Sequence, residues 1–135
     1  LGLKPAAVVM ARVVSNPRAG MVTLDCGSKS IAAEAGDPAG YVIGYPEVTA
    51  RSCSEEHMPC SVTEIAESSG KRKRGATDPW QSKNRGEVCF VVPEHICPTV
   101  NLADEVVVIP EGSSEIEVRR VDARGHHLRL EDIQV

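Results

Sequence analysis

His95 and Cys97, two metal-competent side chains, stand two residues apart in the run Pro93-Glu94-His95-Ile96-Cys97-Pro98-Thr99-Val100-Asn101-Leu102. Imidazole and thiolate together suit zinc, and a pair of protein ligands leaves coordination positions open for water or substrate, as catalytic zinc sites do. On extended backbone, residues i and i+2 point to the same side, so the spacing predicts that both reach one ion. Spacing alone fits an exposed histidine beside a buried cysteine equally well. Cys53, His57 and Cys60 form a second set, with a His-x-x-Cys spacing that a closed structural zinc site can use, although Met58-Pro59 intervenes and no Cys-x-x-Cys knuckle exists. Glu55-Glu56-His57 puts two carboxylates beside an imidazole. That makes His57 a candidate acid/base residue, or simply part of a tied-down strand end. Leu24-Asp25-Cys26-Gly27-Ser28-Lys29 sets a Gly-Ser directly after an apolar run, where backbone amides can cradle a phosphate or carboxylate. The Walker spacing is missing, so the pattern by itself is a turn. No Gly-x-Ser-x-Gly elbow is present, and His126-His127 reads as solvent-facing.

The elements that must carry these residues are short and β-rich. Val88 to Val92 reads as a buried strand leading into the His-x-Cys run, and Pro93 ends it because proline has no N–H for the ladder. Pro98 stands where a short helix can begin, since the first helical position needs no N–H. The helix start adds peptide dipoles that favour the thiolate a soft metal binds. Upstream, Ala6 to Val14 is β-branched and bounded by prolines, and Met21 to Asp25 is its return strand across Arg18-Ala19-Gly20. Ile31 to Ala35 fits a short strand or a helical turn, and Gly36 to Gly40 is a loop. Tyr41 to Gly44 is a short apolar run, Glu47 to Cys53 alternates as a half-buried strand, and Cys60 to Glu64 is its hairpin partner. Asp104 to Ile109, Glu115 to Val121 with one wet face, and a last strand or tail over His127 to Val135 complete the set. Between them, residues 66–86 lack periodicity and read as a flexible surface loop or insertion. Its Lys71-Arg72-Lys73-Arg74 cluster is a solvated loop, a phosphate patch or a localisation signal, the first being the plainest reading. Seven or eight short strands without a long amphipathic helix predict an all-β, barrel-like fold with one short helix after the His-x-Cys motif. Residues 1–135 read as a single β-domain.

Composition narrows the function. A chain of 135 residues with 41% hydrophobic and 25% charged residues can bury a real core. Only 3% are aromatic, so the core must be aliphatic and base-stacking platforms for single strands are absent. The net charge of −4 argues against a nucleic-acid partner. No apolar run approaches the ~20 residues of a membrane helix. An odd number of irregularly spaced cysteines, five, points to a reducing, cytoplasmic compartment rather than a disulfide framework. The chain starts at Leu1 without a Met and reads as a processed product, a fragment or a separate polypeptide.

In order, Leu24 to Lys29, Glu55-Glu56-His57, Pro93 to Leu102 and Val121-Asp122-Ala123-Arg124-Gly125 resemble the C-terminal domain of the D-serine dehydratase / D-threonine aldolase family. These are metal-activated pyridoxal-phosphate enzymes of the alanine-racemase type of fold. The resemblance covers nearly the whole chain, and His-x-Cys-Pro-Thr-Val-Asn is its specific part. It implies a β-barrel-like domain in which His95 and Cys97 hold zinc, or manganese, beside the cofactor. It further implies a lyase, by preference D-serine dehydratase-like, in which the metal acts on the β-hydroxyl of a small D-amino acid. D-Threonine aldolase activity or a non-catalytic β-barrel binding module are the alternatives. Thr99, at the expected helix start, is the candidate contact for a substrate carboxylate. The N-terminal (β/α) barrel of that family, which carries the cofactor lysine, is missing here, and Lys4, Lys29, Lys71, Lys73 and Lys83 lie in no cofactor-lysine context. The expected partners are that barrel and, in the complete enzyme, a second copy in a homodimer. The chain alone is expected to be inactive.

Overall fold

The structure is a computed structural model. It describes residues 4–34, 36–62, 80, 82–122 and 124. Strands β1 (Val9–Arg18), β2 (Met21–Leu24), β3 (Gly40–Val42), β4 (Val48–Ala50), β5 (Met58–Val62) and β6 (Val88–Pro93) precede the six-residue helix α1 (Ile96–Asn101), and β7 (Glu105–Val108) and β8 (Glu117–Arg120) follow it. The first six strands form one sheet in the order β3-β6-β1-β2-β5-β4, all neighbours antiparallel. Its two edge strands, β3 and β4, touch, so the sheet curls into a nearly closed barrel. Closure removes the exposed edges that a flat sheet would offer. The all-β, barrel-like expectation is met, with α1 the only helix among the described residues.

Alternation explains which side faces in. Ala11 and Val13 of β1, Val22 and Leu24 of β2, Met58 and Cys60 of β5, and Cys89 and Val91 of β6 are buried, while Met10, Arg12, Val88 and Phe90 between them are exposed. The strand ending at Pro93 is therefore half-buried rather than wholly buried: apolar residues occupy both of its faces, and only one faces the core. β1 serves two neighbours by irregularity. Its first half pairs with β6 in register, and between Val13 and Arg18 the pairing with β2 shifts twice. Such bulges bend a strand and let one element line two sides of a barrel. Trp80, fully buried, tilts against Tyr45 with ring centroids 5.0 Å apart, and the Lys83 ammonium lies 5.3 Å above the Tyr45 ring. Ile31 enters no regular element, yet it is fully buried in the same core.

The separate β7–β8 ribbon pairs Glu105 with Arg120 through Val108 with Glu117. It is exposed on both faces, not on one as the alternation in residues 115–121 predicts. The Arg124 guanidinium pairs with Asp104 beneath it. Most of the 66–86 loop, its basic cluster at 71–74, and the tail with His126 and His127 lie outside the described residues. No helix among the described residues is long and apolar enough to cross a membrane.

Candidate metal site on the barrel rim

Three of the four sequence motifs meet on one rim of the barrel, and a turn of unusual closeness joins the first two. After β2 the Asp25 carboxylate accepts the amide of Arg12 at 2.6 Å, and its own amide donates to the Arg12 carbonyl at 3.0 Å. The chain then passes against the 54–56 backbone, where the amides of Ser28 and Lys29 donate to the carbonyls of Ser54 (2.8 Å) and Glu55 (3.1 Å). Gly27 is required at the crossing: a Cβ there would sit 2.3 Å from the Glu55 carbonyl oxygen. The Ser28 and Lys29 amides thus serve the fold instead of cradling an anion, and the turn reading of that stretch is the one realised. The Lys29 ammonium lies 2.6 Å from a Glu56 oxygen and 3.4 Å from Glu55. Glu56 first, then Glu55, pushes its pKa up. His57, exposed beside them, is held through its backbone by Ser54.

From Gly27 the same segment reaches the third motif. Ile31 anchors it in the core, and the Ala32 amide donates to the Thr99 hydroxyl at 3.1 Å. That hydroxyl in turn donates to the His95 carbonyl at 2.8 Å. Two residues further on, a Glu34 carboxylate oxygen lies 2.5 Å from His95 Nδ1. On the other flank the Glu94 amide donates to the Ala39 carbonyl at 3.0 Å. The Tyr41 phenol bonds the Glu94 carboxylate, and that bond, with the carboxylate's charge, pushes the phenol pKa up.

The helix begins earlier than its proline suggests. His95 is the N-cap in extended conformation (φ −130°, ψ 105°), and Ile96, Cys97 and Pro98 make the first turn. Proline is tolerated at the third position as at the first, because neither amide has a partner inside the helix. Consequently Cys97 is helical, and the same-side rule for extended backbone does not apply to the pair. Thr99 is likewise not at the helix start. It is the fourth helical residue, 5% exposed, with its hydroxyl committed to Ala32 and His95. It thereby links the Ala32 amide to the His95 carbonyl.

The donor chemistry fits a soft divalent ion. His95 has one ring nitrogen engaged by Glu34, which leaves Nε2 for a ligand, and the Cys97 thiol is exposed. An N/S pair favours zinc over manganese, which prefers oxygen donors. Among the described residues no group of three His, Cys, Asp or Glu side chains could hold an ion. His95 and Cys97 are thus two potential donors close in sequence, without a third beside them among the described residues. The second zinc set does not assemble: Cys60 faces the core, His57 is exposed, and Cys53 is half-buried. Burial, with Cys53 and Asp25 adding, pushes the Cys26 thiol up to about 12, and burial likewise raises Cys60. These are core residues rather than ligands. Glu34 is the site residue that motif reading did not single out. The Gly-Ser at Gly27 was a visible signal, though of a turn rather than of a close crossing, whereas nothing local marks Glu34, 61 residues from its partner.

The fold and site define a barrel-like β-domain that presents a histidine and a cysteine at the edge of its rim. The family model "Putative serine dehydratase domain" matches residues 6–109. A D-threonine aldolase from an Arthrobacter species is 34% identical over 125 residues, 93% of this chain and 28% of that protein. The crystal structure of D-threonine aldolase from Filomicrobium marinum superposes with a TM-score of 0.65 at 26% identity, covering 87% of this chain and 28% of that one. The chain belongs to the D-serine dehydratase / D-threonine aldolase family. It spans 28% of the length of the relatives it matches.

Proposed function

We propose that this chain is the metal-holding C-terminal domain of a pyridoxal-phosphate-dependent lyase for small β-hydroxy D-amino acids, D-serine dehydratase-like in its reaction. The observation that carries the reading is His95 and Cys97 at the start of α1, held on the rim by the Gly27–Glu34 segment, in a chain of this family. When bound, zinc supplies a Lewis acid for the substrate β-hydroxyl, and pyridoxal phosphate on the N-terminal (β/α) barrel supplies the electron sink. This chain's residues hold and orient. His95 and Cys97 are the ligands, Thr99 fixes the His95 carbonyl, and the exposed His57 beside Glu55 and Glu56 is a candidate group for exchanging a proton with solvent. Lys29 and Lys83 are tied to carboxylates, in keeping with a cofactor lysine elsewhere in the protein.

Exposed apolar side chains support a partner domain and a homodimer. The ribbon exposes Val107, Ile109, Ile116 and Val118, each by more than three-fifths, and the outer face of β1 and β6 exposes Met10 and Phe90. All five cysteines are free thiols, which supports a reducing, cytoplasmic compartment.

A D-threonine aldolase-like activity is the second reading, favoured by the names of both relatives. The test uses the protein in which this chain is joined to its (β/α) barrel, stripped with chelator and resupplied with zinc. Pyruvate from D-serine, restored by zinc in the wild type and not in His95→Ala, is the expected result. Glycine and acetaldehyde from D-threonine instead would select the aldolase. Turnover indifferent to both chelation and His95→Ala would sink the metal-holding reading.

A further inference from the structure

Glu34 lies on no motif, yet among the described residues it is the one carboxylate placed on the His95 ring, 2.5 Å from Nδ1. We propose that Glu34 is a positioning residue for the metal: it holds the proton on Nδ1 and so presents the Nε2 lone pair outward to the ion. The inference rests on the reading of His95 as a ligand. A carboxylate can only accept, so a neutral imidazole beside it must carry its proton on the facing nitrogen. Metal-binding histidines commonly have such a partner, which fixes ring orientation and tautomer and makes the ligand nitrogen more basic.

The placement of Glu34 is built rather than incidental. Its segment is pinned by Ile31 in the core, and the Ile31 amide donates to the Gly27 carbonyl at 3.0 Å. The next residue, Ala32, donates its amide to the Thr99 hydroxyl, and that hydroxyl donates to the carbonyl of His95 itself. One stretch of chain therefore holds His95 twice, through its backbone by way of Thr99 and through its ring by way of Glu34. Both side chains of the ring pair are about half exposed, 51% for His95 and 50% for Glu34, so the pair adds little to stability and leaves the far edge of the ring open.

The test combines zinc affinity with the ring tautomer. Zinc binding to the full chain is measured by competition with a chromophoric chelator for wild type, Glu34→Ala, Glu34→Gln and His95→Ala. The His95 tautomer is read from long-range ¹H–¹⁵N correlations of the imidazole without metal. Glu34→Ala is expected to weaken zinc binding about 10–100-fold and to shift the ring away from the Nδ1–H form. Glu34→Gln, which keeps an acceptor oxygen, recovers part of both. Zinc binding that His95→Ala leaves unchanged would refute the ligand reading itself. Loss in His95→Ala with none in Glu34→Ala would overturn the role of Glu34 alone. The wild-type spectrum needs no variant to fold, and an Nε2–H ring there overturns the inference outright.

Discussion

Replacing Gly27 by alanine puts a methyl group into backbone. Its Cβ would stand 2.3 Å from the Glu55 carbonyl oxygen, 2.4 Å from the Glu55 carbonyl carbon and 2.5 Å from the Glu56 nitrogen. None of these is the free end of a side chain, so the two segments must part. The bonds that join them, Ser28 to Ser54 and Lys29 to Glu55, are then stretched or lost. Two backbone hydrogen bonds are worth about 1–3 kcal/mol together, and forced overpacking costs about 1–3 kcal/mol more. A loss of about 2–6 kcal/mol is a large share of the roughly 5–15 kcal/mol that holds an ordinary domain. Urea unfolding followed by circular dichroism measures it. Gly20→Ala is the internal comparison: Gly20 has φ 76° but nothing within 4 Å of the added Cβ, so its cost is only that of the left-handed backbone, about 1–2 kcal/mol. Gly27→Ala also moves the base of the segment that carries Glu34, so it weakens zinc binding where Gly20→Ala does not. A Gly27→Ala protein within about 0.5 kcal/mol of wild type would refute the close crossing and, with it, the account of how the rim is assembled.

Thr99→Val keeps the shape of the side chain but leaves the Ala32 amide without its acceptor. It should cost about 1–3 kcal/mol in urea unfolding and loosen zinc binding, and an unchanged midpoint would count against its positioning role. Stability should fall in alkali. The Cys26 thiol, ordinarily at 9.0, is raised to about 12 by burial. The folded state therefore keeps a proton that the unfolded chain releases above pH 9, and stability present below that point declines by about 1.4 kcal/mol per pH unit until Cys26 titrates. Denaturation midpoints at pH 8 and pH 10 check the sign; the Cys60 thiol, also raised by burial, adds a slope of the same sign, so Cys26→Ala should lessen the decline without abolishing it. With a thiol-labelling reagent the exposed Cys97 should react well before the buried Cys26 and Cys60, as peptide mass spectrometry would read. The Val107→Ser/Ile109→Ser double variant removes side chains that touch water already, so it should change the stability of this chain by less than about 0.5 kcal/mol while weakening its association with the (β/α) barrel. Undiminished association on a sizing column would argue for another docking face.

Much of the scaffold follows from local chemistry. The β-branched run that becomes β1, the alternation around β4, the turn at Gly20, and proline punctuation at Pro93 are properties of neighbouring residues, and they suffice for a β-rich, barrel-like fold with one short helix. The same logic misjudged β6, because Val88, Phe90 and Val92 are as apolar as Cys89 and Val91. Which face is buried depends on what the other strands cover. It also placed the start of α1 at Pro98, since a proline is welcome at any of the first helical positions and does not say which one it occupies. His95 and Cys97 were legible as metal-competent types at a telling spacing, and the family pattern around them was legible in their neighbours. That Thr99 is spent on positioning, that Gly27 is the crossing point, and that Glu34 faces His95 was decided only by tertiary structure. Those relations join residues tens of positions apart, 61 for Glu34 and His95. A carboxylate on a loop carries no local mark of the ring it will meet. Contacts of that kind follow from the topology: the connection from β2 runs to β3, which pairs with β6, and so passes the start of α1, and no property of either segment alone encodes the distance between them.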